Sequence, residues 1–105
     1  MEKTSLMRKY ARNVHFQIKD GKRDEFAKVF ESDVIPMLKQ QEGFRDELTL
    51  VNSDNAMGIS LWDSRANADS YDKTAYPKVL NTLNPLLEGT PRVETYQVGA
   101  TTLNA

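Results

Sequence analysis

Alternation of apolar and polar residues predicts a first strand between Tyr10 and Lys19. Its apolar positions share one face, which holds Val14, Phe16 and Ile18. Its polar positions share the other face, which holds Asn13, His15 and Gln17. A period of two is typical of a half-buried strand, so the apolar face should point towards the core.

Apolar residues then recur at intervals of three and four, which predicts a helix after the turn at Asp20-Gly21. The inward positions of this helix are Phe26, Val29, Phe30, Val34 and Met37. Pro36 lies inside the pattern. Because proline lacks a backbone donor and crowds the preceding turn, we expect a kink near residues 32–35. Gly43 should end the helix.

Two further strands are predicted at residues 44–52 and 56–63, and the short polar turn between them indicates an antiparallel hairpin. One face of the first of these strands holds Phe44, Leu48 and Leu50. In the second, alternation separates a set of Met57, Ile59 and Leu61 from a set of Ala56, Gly58, Ser60 and Trp62.

A second helical region begins near Arg65, bends at Tyr76 and restarts at Pro77. Its inward positions are Ala68, Tyr71, Ala75, Val79, Leu80, Leu83, Leu86 and Leu87. A last strand is predicted at residues 92–98. The order β-α-β-β-α-β predicts an α+β, ferredoxin-like fold, in which a four-stranded antiparallel sheet carries two helices on one face. We divide the chain into a flexible arm (residues 1–9), this domain (10–98) and a tail (99–105).

Two helices cover one side of such a sheet, and the predicted strands are not cleanly polar on the other side. We expect Trp62 to lie on that uncovered side with the other residues of its face of the third strand. The same side should also carry Val51 of the second strand and Tyr96 and Val98 of the last strand. An indole hides about 150–250 Å2 when buried, and at about 25 cal/mol per Å2 its exposure would forgo several kcal/mol. The pattern therefore predicts a homodimer through the sheet faces, with a partly apolar monomer as the alternative.

Composition narrows the function classes. The 105 residues include 14 Lys and Arg against 15 Asp and Glu, a formal net charge of −1, so neither nucleic acid nor a membrane surface is expected as a partner. The chain has no cysteine, and one histidine with scattered carboxylates lacks metal-ligand spacing, so no metal is expected. No apolar run suits a signal peptide or a spanning helix, which predicts a cytoplasmic location.

Several segments resemble one family. They are Asp20-Gly21-Lys22, Gln41-Glu42-Gly43-Phe44, Ser60-Leu61-Trp62-Asp63-Ser64 and the entry into the last strand at residues 90–96. Together they resemble the antibiotic biosynthesis monooxygenase (ABM) domains of the dimeric α+β barrel superfamily, over residues 14–98. The resemblance implies the fold and a homodimer. It implies a range of chemistry, since the superfamily includes cofactor-free monooxygenases, quinol oxidases, haem-degrading enzymes, cyclases, isomerases and domains without a reaction.

Two branches of the superfamily can be compared residue by residue. The haem-degrading branch uses a histidine of the second helix as its iron ligand, and here the matching position carries Asn81, which disfavours haem degradation. The stress-responsive barrel proteins and related cyclases are similar in one detail, a histidine in the first strand, which corresponds to His15. The other segments fit the ABM branch better.

Oxygenation without cofactor is chemically reasonable when the substrate itself supplies the electrons, as a phenol or enol anion does. Such a site needs a water-poor cavity, donors for the developing oxyanion and a base. His15 is the candidate base, since its ordinary pKa lies near neutrality. Tyr71 and Tyr76 are the candidate oxyanion donors. The candidate substrate-binding residues are Asn13, Gln17, Trp62, Phe26, Phe30 and Leu83.

Structural roles explain each of these residues as well. His15 suits a dimer interface, Trp62 suits packing between helix and sheet, and Tyr76 suits the bend before Pro77. We therefore hold three hypotheses. The first is cofactor-independent oxidation of a small aromatic or quinol-like compound between sheet and helices. The others are a non-catalytic, small-ligand-binding or stress-associated dimer, and a cyclase or isomerase that uses His15 as its base.

Overall fold

The computed structural model describes residues 8–103. The predicted arm at residues 1–9 therefore lies largely outside the described residues, as do the last two positions of the tail. Within the described part, the backbone of Lys9 joins the sheet: its amide donates to Trp62 O at 2.9 Å, and its carbonyl accepts from the Val98 amide at 2.9 Å.

Four antiparallel strands form one sheet in the order β2-β3-β1-β4. They are β1 (Tyr10–Gln17), β2 (Phe44–Val51), β3 (Asn55–Trp62) and β4 (Arg92–Gln97). The predicted hairpin joins β2 to β3, and an irregularity between Phe44 and Asp46 shifts their register. The central strand β1 pairs with both β3 and β4, which confirms the ferredoxin-like arrangement.

The first helical region consists of α1 (Arg23–Val29), a π-helical segment (Phe30–Val34) and α2 (Ile35–Lys39). The irregularity falls where Pro36 led us to expect a kink, and it takes the form of a widened turn. Since Pro36 has no amide hydrogen to donate, the α-helical bonding pattern cannot run unbroken into this turn. The predicted inward residues Phe26, Phe30 and Val34 are buried.

The second region consists of α3 (Arg65–Thr74), α4 (Tyr76–Leu83) and a 3-10 turn (Asn84–Leu86). Ser64 caps α3, because its hydroxyl accepts from the Asn67 amide at 3.2 Å. The break between α3 and α4 lies at Ala75, next to the predicted bend. None of the described helices is long and apolar enough to cross a membrane.

The helices cover one face of the sheet, and the core lies between them. On β1 the prediction is confirmed: Val14 and Phe16 face the helices, whereas His15 lies on the uncovered face. Three phenylalanine rings form the centre of this layer, with centroids 5.3–6.2 Å apart; they are Phe16, Phe26 and Phe30.

On β3 the predicted orientation is wrong. The set we expected on the uncovered side is buried against the helices, and it comprises Ala56, Gly58, Ser60 and Trp62. Trp62 is fully buried, and its indole N–H donates to Ser60 Oγ at 2.8 Å. Alternation separates two faces but does not say which one meets the helices, and here both faces carry apolar residues.

The uncovered surface, which we call the open face, is nonetheless apolar. It carries Leu48 and Leu50 of β2, Met57, Ile59 and Leu61 of β3, and Tyr96 of β4. Leu48 is 56% exposed, Leu50 48% and Tyr96 52%. The reason for expecting a dimer therefore holds. Tyr96 lies on this surface as expected, whereas Val51 pairs with Ala56 and lies on the helix-facing side, where it was not expected.

Candidate functional site

A small inner cavity lies between the sheet and the helices. Its apolar wall comprises Val14, Phe16, Phe30, Val34, Leu38 and Val79, with Gly58 on the sheet side. Its polar groups are Arg12, Glu47, Ser60, Tyr71 and Tyr76. The volume of the cavity is about 20 Å3, which is room for about one water molecule. A few polar groups converging in an apolar hollow are typical of ligand sites.

Arg12 is the positive charge of this cavity, and its side chain is only 3% exposed. It sits in phase with Val14 on the helix-facing side of β1. Its Nη2 donates to Asp72 Oδ1 of α3 at 2.6 Å. Its guanidinium carbon also lies 4.0 Å from the ring centroid of Tyr76 and 5.1 Å from that of Tyr71. Stacking and ion pairing together offset the cost of burying this charge.

Two tyrosine hydroxyls face the same space. Tyr76 Oη is buried and has no hydrogen-bond partner of ordinary geometry within residues 8–103. Burial raises the pKa of Tyr76, and the positive charge of Arg12, with a poorly aligned contact between Arg12 and the hydroxyl, offsets part of that rise. Burial likewise raises the pKa of Tyr71. Both hydroxyls therefore keep their protons at neutral pH and are available as hydrogen-bond donors.

Glu47 brings a carboxyl group into the cavity from β2. Thr49 Oγ1 donates to its Oε2 at 2.9 Å. Burial raises the pKa of Glu47 to about 8, against the lowering effects of the Thr49 hydrogen bond and of the Arg12 charge. Within the described part of the chain Glu47 forms no salt bridge. This carboxyl group changes its charge near neutral pH.

Gly58 makes space for that carboxyl group. A Cβ atom at Gly58 would lie 3.0 Å from Glu47 Oε2, 3.5 Å from Phe16 Cε2 and 3.7 Å from Phe30 Cζ. The first separation is short for a new carbon atom, whereas the other two are ordinary contacts, so a side chain here would press on the carboxyl group. The absence of a side chain at this central strand position preserves the cavity.

An outer cleft of about 280 Å3 lies on the other side of Glu47, between β2 and the first helical region. Its lining comprises Ala27, Phe30, Glu31, Ile35, Glu47, Thr49 and Val51. Phe30 and Glu47 line both the outer cleft and the inner cavity. These two side chains therefore border both spaces.

The structure brings together some of the predicted site residues. Tyr71, Tyr76 and Phe30 line the inner cavity. Trp62, Phe26 and Leu83 are fully buried in the core outside its wall. Trp62 lies against Tyr71 with ring centroids 5.1 Å apart, so it supports a wall residue from behind.

The predicted residues of β1 lie on the open face, across the sheet from the tyrosines. His15 Nε2 is 3.0 Å from Glu94 Oε1 of β4. His15 and Gln17 line a shallow hollow of about 370 Å3 with Arg92. Asn13 is on the same face, where its Oδ1 is buried without a partner among residues 8–103. The sheet therefore separates His15 from Tyr71 and Tyr76.

Sequence analysis missed Arg12 and Glu47. A sign was present in the pattern, because Arg12 is in phase with the inward residues of β1. Glu47 alternates with Leu48 and was treated as one of several scattered carboxylates. Once Leu48 lies on the open face, Glu47 must point inward. Among the described residues no group of three or more His, Cys, Asp or Glu could hold a metal ion.

Comparison with known proteins places this fold. Neither the protein-family models nor the curated proteins include a match to the sequence. Solved structures do match. A Nitrosomonas europaea protein of unknown function has a TM-score of 0.79 at 20% identity, over 94% of this chain and 97% of its own.

Two Streptomyces oxygenases match as well. A monooxygenase from the gene ActVA-Orf6 of Streptomyces coelicolor, solved with nanaomycin D, has a TM-score of 0.74 at 12% identity, over 92% of this chain and 93% of its own. SnoaB, a cofactor-independent oxygenase from Streptomyces nogalater, has a TM-score of 0.73 at 16% identity, over 91% and 99%. The resemblance to ABM domains is thus confirmed at the level of the fold.

Proposed function

We propose that this protein is a cofactor-independent oxygenase or oxidase that acts on a small hydroxylated aromatic or quinol-like compound in the inner cavity. The observation that carries the proposal is the buried Tyr76 hydroxyl, which makes no well-aligned hydrogen bond within residues 8–103 although the Arg12 guanidinium stacks on its ring. A buried polar group of this kind calls for an explanation, and an oxygen atom of a ligand supplies one.

The chemistry required of the protein is limited. A phenol or hydroquinone that loses its proton becomes electron-rich enough to reduce dissolved dioxygen. Negative charge on the substrate oxygen, and later on reduced oxygen, would be stabilised by Arg12 and by the Tyr76 hydroxyl. The apolar wall would exclude water and strengthen both interactions. Structures with this fold include enzymes described as a monooxygenase and as a cofactor-independent oxygenase, which supports the proposal.

The test is oxygen uptake over a panel of hydroquinones, naphthols and anthrones, with a chelator present and no cofactor added. We expect uptake by the wild-type protein. Tyr76→Phe should lower the rate by about 100-fold or more, because one oxyanion donor is lost. Tyr96→Phe, at an exposed tyrosine of the open face, is the matched control and should keep the wild-type rate.

His15→Ala belongs in the same panel, because His15 is the base that the sequence suggests. A fall in oxygen uptake with His15→Ala and none with Tyr76→Phe would move the chemistry to the open face. Conversion of a panel compound without oxygen uptake, lost in His15→Ala, would favour the cyclase or isomerase hypothesis. Equal rates for Tyr76→Phe and the wild type would contradict the role assigned to the inner cavity.

The non-catalytic hypothesis has one observation in its favour. The inner cavity has room for about one water molecule, so an aromatic substrate requires its wall to move. A protein that binds small ligands without turnover would show no uptake with any compound of the panel. Native mass spectrometry of the purified protein would then be the way to find a retained ligand.

We also propose that two copies of the chain associate through the open face. The apolar side chains on that surface have no cover from the helices, and a second sheet packed face to face would bury them. His15 and Glu94 would then lie at the interface.

A further inference from the structure

We propose that Glu47 is a catalytic residue that accepts the proton of a hydroxyaromatic ligand, and that the ligand reaches Glu47 from the outer cleft. The inference rests on the proposed function, because it takes the same class of ligand. It adds the group that removes the proton and the direction from which the ligand arrives.

Position is the first argument. Glu47 and Phe30 line both the inner cavity and the outer cleft. A ligand in the cleft therefore meets an aromatic ring and a carboxyl group at the same point. If its ring packs against Phe30, its hydroxyl group can reach Glu47 without first entering the small inner cavity. Phe30 begins the π-helical segment, and such widened turns are frequent at functional sites.

The bonding of Glu47 is the second argument. Thr49 donates to Oε2 and holds that oxygen. Arg12 is the positive charge that acts on Glu47. Its guanidinium is already paired with Asp72 and stacked on Tyr76. Glu47 is thus held in place without an ion pair in residues 8–103. A carboxylate that lacks a counter-ion is a better proton acceptor than a paired one, and the raised pKa of about 8 agrees with this.

The surrounding charges favour transfer in the required direction. Arg12, Tyr71 and Tyr76 face Glu47 across the inner cavity, and Glu31 faces it across the outer cleft. When the ligand O–H bond breaks, its proton forms a new O–H bond on the Glu47 carboxylate. The electron pair stays on the ligand oxygen. The negative charge therefore moves from Glu47 to the ligand oxygen. Once that oxygen moves past Glu47 into the inner cavity, Arg12 and the tyrosine hydroxyls can stabilise it.

The first experiment needs no turnover. Carbon-13 NMR of protein labelled at its glutamate carboxyl groups, with the Glu47 resonance assigned from Glu47→Gln, is recorded under nitrogen with 2-naphthol. We expect Glu47 to titrate near pH 8, and its resonance and midpoint to shift when 2-naphthol is added. Binding of 2-naphthol that leaves Glu47 unmoved would overturn the proposal, and so would the absence of binding up to the solubility limit.

The second experiment measures kinetics with a compound that the wild-type protein oxidises. Glu47→Gln should lower kcat by about 100-fold or more, with KM changed by less than a few fold, because the base is lost and the shape is kept. In the wild type kcat/KM should rise with pH up to about 8, and Glu47→Gln should lose that rise. Glu47→Asp should recover part of kcat.

Glu88→Gln is the matched control, since Glu88 is exposed and lines neither the inner cavity nor the outer cleft. It should keep the wild-type kcat and pH profile. An unchanged kcat and pH profile for Glu47→Gln would refute the catalytic assignment. If the wild-type protein oxidises nothing in the panel, the proposed function fails, whereas the NMR measurement still decides whether Glu47 contacts a hydroxyaromatic ligand.

Discussion

At the scale of single residues, the inner cavity shows that polar side chains can be buried at a cost to stability. Arg12 has an ion pair and two aromatic rings to offset its burial. Glu47 has one hydroxyl donor. An uncompensated carboxyl group in an otherwise apolar layer lowers stability, and sites that bind or react commonly carry such a cost.

Glu47 makes stability depend on pH in a defined direction. Its pKa is about 8 in the folded protein, against an ordinary value of 4.5. The folded state therefore binds the proton more tightly than the unfolded state. The contribution of protonated Glu47 to the free energy of unfolding is fully present below the pKa of the unfolded state. It is lost as pH rises through the pKa of the folded state. The free energy of unfolding should decrease between about pH 5 and pH 9 from this source.

Glu47→Gln tests that dependence. The glutamine keeps the size of the side chain and a hydrogen-bond acceptor for Thr49, and it cannot ionise. As pH rises from 5 to 9, the free energy of unfolding of the variant should increase by about 2 kcal/mol relative to that of the wild type. The gain is smaller than the full pKa shift would give, because water screens the charge of a partly exposed group. Urea denaturation at both pH values measures this gain. If the difference in free energy of unfolding between variant and wild type is the same at pH 5 and pH 9, the pKa of Glu47 in the folded protein is that of an ordinary peptide.

At the scale of elements, α2 ends at Lys39, earlier than the predicted end at Gly43, and Gly43 lies in the turn that leads into β2. That turn depends on a contact between distant segments. Gly43 has a φ of 80°, and its carbonyl accepts from the Asp63 amide at 2.8 Å. A Cβ atom at Gly43 would lie 2.2 Å from Asn67 Cγ. Asn67 Oδ1 accepts from the Ser64 hydroxyl at 2.8 Å, so the same crowding would disturb the start of α3.

Gly21 is a natural control for Gly43. Its φ is 76°, and nothing lies within 4 Å of a Cβ atom built there. Gly21→Ala should lower the free energy of unfolding by about 1 kcal/mol, the cost of the left-handed backbone. Gly43→Ala should cost about 2 kcal/mol more, because Asn67 must also move. If urea denaturation gives the same loss of free energy of unfolding for both variants, Asn67 moves away from the new Cβ atom at no cost.

At the scale of the whole molecule, the two faces of the sheet differ in what covers them. The helix-facing side forms the core and the inner cavity. The open face carries apolar side chains that the helices do not cover, with Leu48 and Leu50 about half exposed. A hydrophobic surface of this kind on a small protein marks an interaction site.

Leu48→Glu should weaken the proposed homodimer. A carboxylate at this position would be buried against a second apolar sheet without a counter-ion, so dissociation should become at least 10-fold more favourable. Sedimentation velocity at micromolar concentration measures the distribution of monomer and dimer. Ser70→Glu, which adds the same charge at an exposed position of α3, should sediment as the wild type does. A wild-type protein that sediments as a compact monomer would contradict the association itself.

Much of the fold could be predicted from local patterns. Alternation in β1 gave the correct inward residues, because Val14 and Phe16 are balanced by polar neighbours on the other face. Helical spacing gave the buried positions Phe26 and Tyr71. A proline lacks its donor whatever surrounds it, so Pro36 predicted the interruption of the first helix. Each of these properties belongs to a short stretch of chain.

The tertiary structure alone decided which face of β2 and β3 meets the helices, and with it the candidate site. Both faces of β3 are apolar enough to be inside, so strand pairing with β1 settled that Trp62 is buried and that Leu48 is not. Arg12, Glu47 and Tyr76 are far apart in sequence, and no local pattern relates them. They meet because β1 lies beside β3, β3 lies beside β2, and α4 places the Tyr76 ring against Arg12 of β1. The sequence thus determined the elements and their order, whereas the packing of the sheet against the helices determined which polar groups share a cavity.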